Sequence, residues 1–313
     1  MSTVGDLLAA GTDRLQAAGS PSARLDAELL LADALGTDRV GVLAHPDGLA
    51  GDGPAARFAL ALERREAGEP VAYIRGLKEF HGLALATDAR ALVPRPETEL
   101  LVDVALGEIA EVLGRAPRPS GTPPVHVADV GTGSGAIAVA LAVSLRRRRM
   151  ADDVEIVATD QSEAAAALAR ENAVAHGVAD RVGVVVADLL PAAGDAAGLL
   201  RTPEQFDIVC ANLPYIRTGD LDGLPRPIQF EPREALDGGP DGLALIRRLL
   251  GLLAARLGDD GLALLEIGSD QGSAIVVAVD ALLPGWGCEV VPDLAGLPRI
   301  ARIVRSARPE SRP

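Results

Sequence analysis

The chain has 313 residues, 48% of them hydrophobic, and a formal net charge of −14, room for one large α/β domain plus a smaller module. The acidic balance excludes a general nucleic-acid binder with a long DNA or RNA footprint, which needs a basic surface, so direct nucleic-acid binding is not expected. The longest apolar stretches, such as Ala136 to Leu145, fall short of the roughly 18 residues that span a bilayer, and Met1-Ser2-Thr3-Val4-Gly5-Asp6 opens no secretion signal, so a cytoplasmic protein without a membrane anchor is expected.

Residues 1–75 read as a small helical domain. Leu7, Leu8, Leu15 and then Leu25, Leu29, Leu30, Leu31 and Leu35 recur at helical spacing, broken by Gly19-Ser20-Pro21 and Gly36. A third helix is expected from about Pro54 to Ala67. Short β-like pieces follow, Val71-Ala72-Tyr73-Ile74 and Leu83-Ala84-Leu85, punctuated by Gly76 and Gly82. Residues 76–97 form a connector that closes on Val93-Pro94-Arg95-Pro96-Glu97, stiffened because each proline pushes its predecessor toward extended geometry.

Residues 98–313 form the larger domain. A helix is expected from near Glu97 to Leu113, and Ala116 to Pro124 is a surface loop rich in Pro, Gly and Ser. Strand and helix signals then alternate. Val125 to Val130, Val154 to Ala158, Val182 to Val186, Phe206 to Cys210 and Leu262 to Ile267 are short apolar runs typical of buried parallel strands. Ala136 to Arg147, Ser162 to His176 and Gly242 to Leu257 are helical. Right-handed crossovers give a doubly wound, Rossmann-like α/β sheet with a ligand crevice at the carboxyl ends of its strands. Glu289-Val290-Val291 and Arg299 to Val304 suit a terminal antiparallel pair. The run Arg146-Arg147-Arg148-Arg149 ends an apolar helix, where cations suit the negative pole of the dipole. Cys210 and Cys288 read as core thiols, with neither a disulfide framework nor a metal site.

Four strand ends carry chemistry. Asp129-Val130-Gly131-Thr132-Gly133-Ser134-Gly135 joins a strand to a helix, and its Gly-x-Gly-x-Gly spacing suits a nucleoside with an amino acid tail better than a dinucleotide pyrophosphate. Asp160 ends the next strand, where an acid can accept both ribose hydroxyls. Asp188, followed by Leu189, ends the third and can accept from an adenine amino group. Together with Thr132, Ser134 and the three glycines, these describe a site for S-adenosyl-L-methionine. The fourth motif, Asn212-Leu213-Pro214-Tyr215, follows Phe206 to Ala211. A planar amide or aromatic amine nitrogen is a poor nucleophile because its lone pair is delocalised. Two acceptors fixed on its hydrogens turn that lone pair toward a sulfonium methyl. The Asn212 oxygen is one acceptor, also at the cofactor. The Leu213 carbonyl, held extended by Pro214, is the other, and the Tyr215 ring offers a flat face to the substrate.

The chain resembles the HemK/PrmC family, protein-glutamine methyltransferases of peptide chain release factors. The resemblance runs through Glu69 to Gly76, Phe80-His81-Gly82-Leu83, Leu92 to Glu99, the glycine turn, Asp160, the Asn212 quartet, Phe230-Glu231-Pro232 and Ala235 to Leu243. The Pro-Arg-Pro-Glu-Thr-Glu connector and the Glu-Pro…Gly-Gly-x-Asp-Gly loop are its specific parts. The resemblance implies a five-helix N-terminal domain that recognises the release factor, a β-hairpin connector and a class I methyltransferase domain. It implies the glutamine of a Gly-Gly-Gln motif as substrate, and a loop carrying Phe230 and Glu231 that closes over it. One departure stands out: Leu213 occupies the place of the family's usual first proline, giving up backbone rigidity. An Asn-Leu-Pro-Tyr quartet also resembles ribosomal RNA adenine dimethyltransferases, so a base amino-methyltransferase is the alternative. None of His45, His81, His126 and His176 stands out as a base.

Overall fold

The computed structural model describes residues 2–115, 119, 121–198 and 200–305; part of the loop expected over 116–124 lies outside them. By its internal contacts the chain divides into two units. One groups Met1–Leu77 with Thr87–Ala89 and Leu224–Phe230, the other Lys78–Ala86 with Arg90–Gly223 and Glu231–Pro313. A linear division at residues 75 and 97 does not express the two short segments that group with the first unit.

The first unit holds α1 (Val4–Ala17), α2 (Ala23–Leu35), α3 (Arg39–Ala44), α4 (Asp52–Glu66) and α5 (Val71–Arg75). Thr3 caps α1 reciprocally, its hydroxyl accepting from Asp6 N at 3.1 Å while the Asp6 carboxylate accepts from Thr3 N. Leu8, Leu15, Leu30, Leu31, Phe58 and Leu62 fill the core. At its edge the buried Asp26 carboxylate accepts from Arg65 at 2.8 Å and from the hydroxyls of Ser20 and Ser22, so the charge is compensated on several sides. The β reading of residues 71–74 is corrected here. They form one helical turn between Pro70 and a left-handed Gly76 at φ 68°, because Val71 and Ile74, three apart, both pack on the leucine core. Tertiary contact overrides the β preference of the side chains.

β1 (Leu77–Phe80), which belongs to the second unit from Lys78 on, and β2 (Leu83–Ala86) make a hairpin, turned by His81 and Gly82 at φ 49° and 69°. Next come α6 (Thr98–Gly114), β3 (Val125–Val130), α7 (Ala136–Arg147), β4 (Val154–Asp160), α8 (Glu163–Ala175) and β5 (Val182–Val186). A small pair, β6 (Ala196–Ala197) and β7 (Leu200–Arg201), precedes β8 (Phe206–Ala211). The short α9 (Arg226–Gln229) belongs to the first unit. The chain closes with α10 (Ala244–Arg256), β9 (Leu257–Glu266), α11 (Gly272–Leu282), β10 (Trp286–Pro292) and β11 (Pro298–Arg305).

The seven-stranded sheet has the order β10-β11-β9-β8-β3-β4-β5, parallel from β9 to β5 and antiparallel at β11 and β10. Alternation along each strand feeds two cores. Val127, Ile156, Ile208 and Leu264 join the apolar faces of α6, α7 and α8; Ala128, Val157, Val209 and Ala263 join α10 and α11. After β5 the chain returns to the other side of β3, so the carboxyl ends of β3 and β8 flank a switch point. The arginine run ends α7, and Arg146 pairs with Asp180 at 3.0 Å and also bonds the Gly177 carbonyl. Cys210 is buried and Cys288 half-buried, both free. Among the described residues no helix is long and apolar enough to cross a membrane.

Candidate functional site

A cleft of about 990 Å³, partly open to solvent, lies at these strand ends in the second unit. Gly131, Thr132, Gly133 and Ser134 line it after β3, Asp160 after β4, Asp188 and Leu189 after β5, and Asn212, Leu213 and Pro214 after β8. The turn after β3 is held from below. Gly131 N and Thr132 N both donate to the Thr159 carbonyl at 2.8 Å. Asp129, wholly buried, accepts from the Thr132 hydroxyl at 2.6 Å and from Ala138 N at 3.1 Å. Burial pushes its carboxyl up to about 6.

The three glycines have different reasons. Gly133, at φ 55°, has nothing closer than Ala91 Cβ at 3.8 Å to a side chain at its position, so its open face belongs to the cleft. Gly131, at φ 73°, faces Leu213, whose Cδ2 would stand 2.9 Å from an added Cβ. Gly135 does not line the cleft; it caps α7 at φ 82° and lets α8 approach, with Ala169 Cβ 3.1 Å from where its own would be. Asn172 on α8 is 1% exposed and ties the hairpin to this turn. Its oxygen accepts from Ala86 N, and its Nδ2 donates to the carbonyls of Ala86 and Ser134, at 2.8, 3.0 and 2.8 Å.

Asp160 Oδ2 accepts from Gly133 N and Oδ1 from Ser162 N, both at 2.9 Å, and each oxygen keeps a second acceptor position. Burial raises its pKa, with the nearby Glu234 charge adding to the rise. Asp188 is shared with a partner the sequence did not reveal, accepting from Arg248 Nη2 at 2.6 Å. Leu189 sits in the left-handed region at φ 64°, unusual for its side chain; its carbonyl is held by the Thr159 hydroxyl at 2.8 Å.

In the quartet, Asn212 Nδ2 donates to the Thr98 hydroxyl oxygen at 2.9 Å. The Leu213 side chain is buried against Gly131. Tyr215 lies outside the cleft lining; burial pushes its phenol up to about 12, so it stays neutral. The glycine-rich loop after the quartet is its support. A side chain at Gly238 would come within 2.7 Å of the Pro214 carbonyl, and one at Gly242, at φ 76°, would strike the Tyr215 carbonyl. Gln271 completes the brace by donating to the carbonyls of Tyr215 and Gly242 at 3.0 and 3.2 Å. Gly242→Ala is therefore expected to destabilise the fold by about 2 kcal/mol and to lower turnover by displacing the quartet, checked by urea unfolding and methyl-transfer rates.

The two loop residues sit elsewhere. Phe230 groups with the first unit, its ring edge 3.3 Å from the place a Gly68 side chain would take. Glu231 is 5% exposed and clamps the connector, Oε2 accepting from Val93 N at 3.0 Å and Oε1 from Arg95 at 2.7 Å. Sequence reasoning gave no site role to the connector residues Ala91, Leu92, Pro94 and Thr98 or to Glu234, all of which line the cleft. The Pro-Arg-Pro-Glu-Thr-Glu signature was the available signal.

Residues 6–76 match the PrmC N-terminal domain and residues 119–222 the methyltransferase small domain. The release factor glutamine methyltransferase of Moorella thermoacetica is 40% identical over 297 residues, covering 95% of this chain and 96% of the relative. That of Deinococcus radiodurans is 38% identical, covering 96% and 98%. The hMettl16 catalytic domain, solved with the MAT2A 3′UTR hairpin 6, superposes with a TM-score of 0.51 at 14% identity, covering 84% of each chain, and shares the fold alone. With such identity along almost its full length, on a methyltransferase sheet, the chain belongs to the release factor glutamine methyltransferase family.

Proposed function

We infer that this protein transfers the methyl group of S-adenosyl-L-methionine to the side-chain amide nitrogen of the glutamine in the Gly-Gly-Gln motif of peptide chain release factors. The observation that carries the chemistry is the Asn212 amide: because Nδ2 is engaged by Thr98, Oδ1 is left as the free acceptor. The same inference follows for substrate class from the relatives, which are named for release factors.

The cleft's residues suit the cofactor. Ser134 Oγ is buried in it without a hydrogen-bond partner, the Asp160 oxygens have capacity for two ribose hydroxyls, and Gly133 leaves open backbone. When bound, S-adenosyl-L-methionine supplies an electrophilic methyl on a sulfonium. Asp160 would hold the ribose, Asp188 the adenine amino group, and Leu189 would pack against the base. Asn212 Oδ1 and the Leu213 carbonyl each accept one hydrogen of the glutamine amide, turning its lone pair toward the methyl carbon. Tyr215 is neutral and braced through its carbonyl, and its ring would give the planar amide a flat face. The cofactor would give its methyl to that nitrogen and keep the C–S electron pair on sulfur, and the amide nitrogen would shed one proton to solvent, because methylation acidifies it.

The test incubates purified protein with methyl-labelled cofactor and a release factor, or the same factor with its Gly-Gly-Gln glutamine changed to alanine. Label on the first and none on the second is expected. Label on RNA or DNA instead would establish the base amino-methyltransferase reading.

A further inference from the structure

Asp160 ends β4 and Asp188 follows β5, its neighbour in the sheet, and both line the cleft. They are held differently. Asp160 is fixed by the backbone, its two oxygens accepting from Gly133 N and Ser162 N. Among the described residues the Asp188 carboxylate takes no backbone N–H; its hydrogen bond comes from Arg248 Nη2 to Oδ2, at 2.6 Å.

The main chain on either side of Asp188 is anchored. Ala187 N donates to the Asp160 carbonyl at 2.9 Å, and the Leu189 carbonyl accepts from the Thr159 hydroxyl at 2.8 Å. The loose part is the carboxylate, whose side chain is 59% exposed and turns about two bonds unless something holds it. Helix α10 supplies the holder. Leu245 on its first turn lines the cleft, and Arg248, three residues on, stands on the same side of the helix. The adjacent Arg247 is taken by Asp241, at 3.0 and 2.6 Å through its two terminal nitrogens. Each arginine therefore has its own carboxylate, and Arg248 is left to Asp188.

We propose that Arg248 is a positioning residue for purine selection: by holding Asp188 Oδ2 it makes Oδ1 a fixed acceptor, so that the cleft takes a 6-aminopurine cofactor and rejects a 6-oxopurine one. The inference rests on Asp188 facing the base of the cofactor. One guanidinium nitrogen reaches one carboxylate oxygen, which leaves Oδ1 open. An exocyclic amino group donates to that oxygen. A carbonyl at the same ring position sets lone pairs against it, and two facing acceptors repel. A loose carboxylate swings away and forgives the mismatch, whereas a held one does not. An ion pair this exposed adds little to the stability of the fold, so its effect belongs in ligand selection rather than in unfolding.

The experiment takes calorimetric dissociation constants of the full chain for S-adenosylhomocysteine and for its deaminated counterpart, S-inosylhomocysteine. The unaltered protein should favour the adenine compound by roughly 30-fold or more. Arg248→Met should cut that preference about five- to tenfold, with no change in the urea unfolding midpoint. Arg248→Lys should recover most of it, because an ammonium can make the same single contact. In an Asp188→Ala background, Arg248→Met should alter neither constant by more than about twofold.

An unchanged preference in Arg248→Met overturns the proposal. So does tighter binding of the adenine compound in that variant, which would make the arginine a competitor for Asp188, or an equal effect in the Asp188→Ala background. Asp188→Ala separates this failure from that of the reading beneath it. If Asp188→Ala loses the preference while Arg248→Met keeps it, the fault lies with Arg248 alone; if Asp188→Ala keeps both constants, the base contact and the proposal fall together.

Discussion

Asn212→Ala is expected to lower kcat roughly 100- to 1,000-fold while changing the dissociation constant for S-adenosyl-L-methionine by less than about threefold. The asymmetry follows from where the side chain works. Its Nδ2 is spent on Thr98, and in the proposed reaction its oxygen acts on a nitrogen that must lose amide resonance only as the methyl arrives. An interaction that strengthens at that moment raises kcat without tightening the ground state. Calorimetry for the cofactor and single-turnover methylation separate the two quantities. A variant in which affinity and turnover decline together would assign Asn212 to cofactor binding. Asn212→Asp keeps oxygens but loses the donor to Thr98, so it should fall between the two.

Glu231→Ala should destabilise the protein by about 2–4 kcal/mol. The side chain is buried and spends both oxygens on the connector, leaving Val93 N and the Arg95 guanidinium without partners when it is removed. Arg95 is 28% exposed and can recover some hydration, which places the loss below that of a fully buried pair. Because Leu92, Pro94 and Arg95 line the cleft, cofactor affinity should weaken as well. Glu231→Gln, which preserves shape and one acceptor, should lose about 1 kcal/mol. Urea unfolding measures both; an alanine variant as stable as its parent would show that the connector holds its course without this clamp.

The parallel strands were legible because each is a short apolar run between turn residues, and buried parallel strands need little else; Val125–Val130 and Val182–Val186 were delimited to the residue. β9 was read five residues short because Gly258, Asp259, Asp260 and Gly261 look like a turn, whereas the strand runs through them beside an irregular register at Phe206 and Ile208. α11 was missed although it is an apolar segment; the residue before it, Gln271, makes no side-chain cap. The cofactor-side residues carried local signatures, glycines and acids at strand ends. Thr98 carried none. It meets Asn212 only through folding, from 114 residues away, and a threonine at a helix start looks ordinary in one dimension.

Leu213 gives the quartet a restraint of its own. Its side chain, 4% exposed, occupies the space directly above Gly131, so packing supplies the restraint that a proline ring would have supplied through the backbone. The two positions are thereby epistatic. Restoring proline at 213 would stiffen the chain yet empty the volume that Leu213 fills, and any side chain at 131 would compete for that same volume. In this chain a change at either position should therefore be accommodated only with a matching change at the other.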